Sequence, residues 1–207
     1  IGDSGLPKEY RELTISTSPV RTEQAEVYGL LDSYVKTFER QFSDEDDNIR
    51  SIYLWSQSPG TGKTTTAATL LLEFITAHYL GSLKRNQQPE QRPAYFLDVN
   101  AWQELYTGFT RNGIPQETAE ANSRPYYRQM ELAKKTHFVV LDDIGVRDAS
   151  DPFRADLHTV INYRNANGLP TIYTSNLPLE EMAKVFDARL YDRMRDQCAK
   201  LHFEGIS

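Results

Sequence analysis

The chain has 207 residues, a single cysteine and a formal net charge of −6. That length holds one sizeable core, and 39% hydrophobic with 25% charged residues are the proportions of a soluble globular protein. No apolar run approaches the roughly 20 residues that cross a bilayer, nothing at the N-terminus has signal-peptide form, one cysteine excludes an internal disulfide framework, no Cys/His cluster has zinc spacing, and the acidic balance argues against a protein that coats duplex DNA through a basic surface.

In chain order, residues 1–21 carry Gly, Pro and Ser and predict an extended lead-in around Leu13-Thr14-Ile15. Thr22 is placed as an N-cap, and Val27, Leu30, Leu31, Tyr34, Val35, Phe38 and Phe42 at helical spacing predict a helix over about 23–42. The acidic run Asp44-Glu45-Asp46-Asp47 reads as a solvated loop. A first strand is expected over about 50–56. It leads into Ser58, Pro59, Gly60, Thr61, Gly62, Lys63, Thr64 and Thr65, and then into a helix to about residue 80. Strand, glycine loop, Lys-Thr and helix in that order make a phosphate site. Glycines let successive N–H groups point at one anion, and the helix N-terminus adds its positive end. Lys63 is expected to reach the β/γ-phosphates and the Thr64 hydroxyl to occupy a Mg²⁺ position. The full pattern has a glycine six residues before the lysine, and here that position is Gln57.

Residues 81–93 read as a polar loop and Ala94 to Val99 as a second strand. Asn100 with Gln103 reads as a capping pair that opens a helix through about 109. Residues 111–123 read as irregular, with a further helix starting at Ser123-Arg124-Pro125 and ending near Lys135. His137 to Asp143 predicts a third strand, apolar throughout and so buried on both faces, as in a parallel sheet. Asp151-Pro152 starts a helix that stops at Asn167-Gly168, and Thr171 to Ser175 is strand four. Short helices over Pro178–Phe186 and Asp187–Ala199, with Cys198 half-buried on the second, precede a last strand at Lys200–Phe203. Alternating strands and helices predict a three-layer α/β fold with a mainly parallel, five-stranded sheet. Residues 1–48 form a lead-in and helix packed on a core of residues 49–207.

Asp142 ends a buried strand, which puts its carboxylate at the sheet's C-terminal edge beside the phosphate loop, where it can hold Mg²⁺ through a water. Asp143 faces differently and is the candidate to orient or deprotonate an attacking water. The helix from Arg124 through Tyr127 and Arg128 to Lys135 mixes cations with aromatic rings, as single-strand binding uses; the competing reading packs Tyr126, Tyr127, Met130 and Leu132 on the sheet. His78, His137, His158 and His202 are scattered and take no role.

These segments resemble the AAA+ ATPases of the DnaC/DnaI helicase-loader group, with IstB-type transposition ATPases close. The residues that carry the resemblance are Ser58 to Thr65, Phe138 to Gly145, Ile161 to Arg164 with Asn167 to Thr171, Thr174-Ser175-Asn176, and Asp192-Arg193-Met194-Arg195. It implies a three-layer P-loop AAA+ core with little or no C-terminal helical lid, the chain ending at Ser207, and an ATP·Mg²⁺ site. It also implies that Asn176 bonds the γ-phosphate or the attacking water, and that Arg193 is an arginine finger reaching the ATP of a neighbouring subunit, with Arg189 and Arg195 as competitors. Asp143 stands where many members have Glu, which implies slow hydrolysis. The implied partners are a replicative helicase, single-stranded DNA and further copies of the chain arranged head to tail, in the cytoplasm and without a membrane. The alternatives are an ATPase helper of a transposase and a nucleotide-gated scaffold that never turns over.

Overall fold

The computed structural model describes residues 4–43, 48–145, 149–186 and 188–205. The acidic run 44–47 and Asp187 lie outside the described residues. Five strands form one sheet: β1 (Ser51–Trp55), β2 (Ala94–Asp98), β3 (Phe138–Asp142), β4 (Thr171–Ser175) and β5 (Cys198–His202). Their order is β2-β3-β4-β1-β5, and every pairing is parallel. The helices are α1 (Ala25–Tyr34), α2 (Lys63–Lys84), α3 (Val99–Thr110), α4 (Gln116–Lys135), α5 (Asp151–Ala166), α6 (Met182–Val185) and α7 (Ala188–Gln197).

Successive strand residues point to opposite faces, so each strand feeds two cores. Ile52, Leu54, Ala94, Phe96, Phe138, Val140 and Ile172 pack with α1 and α2. Tyr53, Tyr95, Leu97, Val139, Leu141 and Tyr173 pack with side chains of α3, α4, α5 and α7. This explains why β3 is apolar at every position before Asp142.

The first segments differ from the sequence reading. Leu13 to Ile15 is not extended: the Thr14 hydroxyl bonds Ser16 and Thr17 and turns the chain. The extended contact lies earlier, where Phe96 N–H donates to the Ser4 carbonyl and covers the β2 edge. The helix expected over 23–42 is α-helical only to Tyr34, with Gln24 rather than Thr22 at its N-cap, and tightens to a 3₁₀ helix over Val35–Phe42. There Thr37 and Gln41 side chains donate to carbonyls three residues back, and Phe38 enters a ring cluster with Phe74 and Phe138. α2 runs past residue 80 because Gly81 is a contact point rather than a breaker. A Cβ there would lie 2.2 Å from the Phe42 ring.

Two helix starts also differ. The cap of α3 is Asp98, whose Oδ1 accepts from the N–H groups of Asn100 and Ala101. α4 begins at Gln116 and carries Pro125 inside it. The backbone bond lost at the proline is offset by tertiary anchoring. Trp102 stacks on Tyr126 at 4.8 Å and donates its indole N–H to the Tyr126 carbonyl, and Tyr126 donates its hydroxyl to Asp156 of α5. Cys198 is buried at the start of β5, opposite Ser51, because β5 follows β1 along its whole length.

Arg164 is fully buried on α5. Its guanidinium donates to the carbonyls of Ala133, Lys134, Thr136, His137 and Pro170 and to the Thr171 hydroxyl. One side chain thus caps the end of α4 and fixes the starts of β3 and β4. Burial pulls its pKa down to about 10, so it stays charged at neutral pH.

Candidate nucleotide site

All strands end at one edge of a parallel sheet, and the chemistry collects there. β1 ends at Trp55. The loop curls through Gly60 and Gly62, both with left-handed backbone, and α2 starts at Lys63. Gly62 is required twice over. Its φ is 92°, and a Cβ would lie 2.7 Å from the Val20 side chain of the lead-in. A chain of hydroxyls, Ser18 to Tyr28 to Thr66, joins that lead-in to the first turn of α2.

The Lys63 ammonium donates to the Ser58 carbonyl at 3.2 Å, across the mouth of the loop. Burial lowers its pKa, and Asp143 and Asp142 oppose that by favouring the charged form. The Thr61 hydroxyl oxygen is buried without a hydrogen-bond partner among the described residues, an atom that an anion held by the loop would satisfy. The Thr64 hydroxyl donates to Asp142, 2.9 Å from Oδ1 and 3.2 Å from Oδ2. Two residues 78 apart in the chain are therefore in contact at the helix N-terminus.

Asp142 is 8% exposed. Burial pushes its carboxyl up to about 6; Asp98 and Asp143 add to the rise, while the hydroxyls of Thr174 and Thr64 oppose it. Among the described residues no Lys or Arg forms an ion pair with it, and a buried carboxylate so placed is poised to take a cation. Among the described residues no three His, Cys, Asp or Glu side chains group as a metal cage. One hydroxyl and one carboxylate fit magnesium, which takes its other ligands from phosphate and water.

Asp143 has φ 59°, a left-handed conformation that costs an Asp on the order of 1 kcal/mol. Two bonds hold it there. Its N–H donates to the Thr174 hydroxyl at 2.8 Å, and its Oδ2 accepts from the Asn100 amide at 2.9 Å. Thr174 in turn donates to Asp142 Oδ1 at 2.7 Å. Thr174 and Asn100 are the residues to which the sequence pattern gives no role at this site. The signal for Thr174 was a hydroxyl at a fully buried strand position. The pattern places Asn100 as a cap, and Asp98 frees it by taking that work.

Asn176 follows the last residue of β4 and is exposed at the same edge. Arg193 is exposed on α7 and donates to Asn162 Oδ1 of α5. Asp192 and Asp196 pair with Arg195. Arg124, Tyr127, Arg128 and Lys135 all lie exposed on α4, while Tyr126 alone of the two tyrosines enters the core. Arg124 pairs with Glu120, and Lys135 and Lys134 both pair with Glu131. The stripe is thus partly self-neutralised.

Fold and site together give an all-parallel, five-stranded α/β domain with a glycine loop opening α2 and an acid beside it. No family model matches the chain. It is 24% identical over 157 residues to the replicative helicase loader DnaC of Escherichia coli (strain K12), which is 75% of this chain and 55% of that protein. The chain therefore spans about half the length of the curated relatives it matches. A crystal structure of DnaI shares the fold with a TM-score of 0.63 at 20% identity, over 97% of this chain and 93% of that one. A replication initiator DnaA bound to AMPPCP and single-stranded DNA shares it with a TM-score of 0.58 at 12% identity, over 97% of this chain and 51% of that one. The chain is thus similar to DnaC in sequence and to DnaI in fold.

Proposed function

We propose that the chain is an ATP-binding helicase loader that hydrolyses ATP slowly and assists in placing a replicative helicase on single-stranded DNA in the cytoplasm. Two things support this: the Thr64–Asp142 contact at the glycine loop, and the similarity to a replicative helicase loader over three quarters of the chain. The observation that carries the nucleotide reading is the contact. It joins a loop that cradles phosphates to the acid that organises their metal.

Each residue has a place in that reading. Backbone N–H groups of the Ser58–Thr65 loop, Pro59 excepted, and the Lys63 ammonium bind the phosphates. Thr64 and Asp142 hold magnesium, which offsets phosphate charge. Asp143, fixed by Asn100 and Thr174, orients the attacking water, and its short side chain keeps turnover slow. Asn176 donates from the end of β4. Arg193 acts on the nucleotide of the next copy in a head-to-tail assembly. The exposed face of α4 meets single-stranded DNA. Residues 1–48 and the core 49–207 work as one unit, since Leu6, Tyr28, Leu31 and Phe38 share a core with the sheet.

The test is calorimetry with ATP and magnesium on wild type and Lys63→Ala, followed by capture of a purified replicative helicase. Lys63→Ala is expected to lose ATP binding, since the loop loses its one side-chain cation. Unchanged affinity refutes the phosphate loop. Failure to retain the helicase under conditions where ATP binds refutes the loader role.

A further inference from the structure

Three arginines lie on α7, and their surroundings differ. Arg195 sits between Asp192 at 3.0 Å and Asp196 at 3.1 Å, so its charge is cancelled locally. Arg189 is exposed at the start of the helix. The Arg193 guanidinium donates instead to the side-chain amide oxygen of Asn162, on α5. An amide oxygen fixes the direction of a guanidinium without cancelling its charge, as a carboxylate in the same place would, and among the described residues no carboxylate pairs with Arg193.

Asn162 is itself on a firm base. Ile161 and Val160 beside it are fully buried, Arg164 is bonded to five carbonyls, and the Asn165 carbonyl accepts from Gln197 of α7 at 3.2 Å. We propose that Asn162 is a positioning residue that holds Arg193 outward and fully charged for the phosphates presented by a neighbouring copy. This rests on the reading of Arg193 as a finger acting in trans.

The experiment compares Asn162→Ala, Asn162→Asp and Arg193→Ala with wild type by steady-state ATP turnover, alongside self-association driven by ADP and aluminium fluoride. Asn162→Ala is expected to lower kcat about tenfold with KM nearly unchanged, because the guanidinium wanders. Asn162→Asp keeps the shape and the hydrogen bond but cancels the charge. It is expected to lower kcat about a hundredfold and to weaken assembly with the transition-state mimic. A merely structural asparagine would tolerate the isosteric Asp. Either Asn162 variant behaving as wild type, where Arg193→Ala is inactive, overturns the proposal. Wild-type turnover in Arg193→Ala overturns the finger reading itself, and the inference with it.

Discussion

Replacing Asp142 by Asn should stabilise the nucleotide-free protein, although it removes a residue of the site. The fold holds the Asp142 carboxyl at about 6 against 3.8 in a free side chain, chiefly through burial. Below the lower value the group is neutral in both states and costs nothing. As pH rises from there to 6, the unfolded chain releases the proton first, and stability is lost. The displacement of about two pH units corresponds to roughly 3 kcal/mol at pH 8. Asn is neutral throughout and keeps the geometry: its oxygen accepts from Thr174 and its amide donates to Thr64. Urea unfolding in EDTA should therefore show Asp142→Asn more stable than wild type by up to about 3 kcal/mol at pH 8, the gap closing by about pH 4. Magnesium with ATP should stabilise wild type and reverse the order. A variant no more stable at pH 8, or a gap independent of pH, refutes the reasoning.

Arg164→Met should destabilise the fold by at least about 3 kcal/mol in urea, because several buried carbonyls lose their donor, while ATP affinity of the folded fraction stays unchanged. Asn100→Ala should lower ATP turnover about tenfold with unchanged ATP affinity, since it releases only Asp143; an equal loss of affinity would show that the amide serves binding instead. Arg124→Ala with Arg128→Ala should weaken binding of a single-stranded oligonucleotide and flatten its salt dependence, and Tyr127→Ala should cost about tenfold; wild-type binding by both makes α4 structural. Lys63→Ala mixed with Arg193→Ala, each inactive alone, should regain turnover, as about a quarter of randomly formed head-to-tail interfaces pair an intact site with an intact finger.

The glycine loop between β1 and α2, the acid that meets it and the alternation of strands and helices are legible because each is local. A glycine run, a buried strand ending in Asp142 and an apolar period announce themselves within ten residues. What escaped depends on long-range partners. Pro125 signals a helix start by local rules, and the partners of Tyr126 that hold α4 through it, Trp102 and Asp156, lie on other helices. Gly81 signals a stop, and its reason is the Phe42 ring from another element. Asn100 and Thr174 meet Asp143 across 43 and 31 residues, a distance that no spacing rule reaches. Arg164 stood out in the sequence only as part of a family motif. Its work is to satisfy carbonyls that become neighbours when the sheet closes.

That guanidinium has a mechanical consequence. α4 has 20 residues, a rod about 30 Å long. Its C-terminal end is clamped by Arg164 to the first residues of β3 and β4, and the Trp102 stack forms a fulcrum near its middle. A load on the arm ahead of that fulcrum, from Gln116 to Arg124, would turn the helix about it and reach the two strands whose opposite ends carry Asp142, Thr174 and the turn into Asn176. Amide exchange at Val139 and Ile172 should register an oligonucleotide bound on the exposed face of α4, and lose that response when Arg164 is replaced by Met.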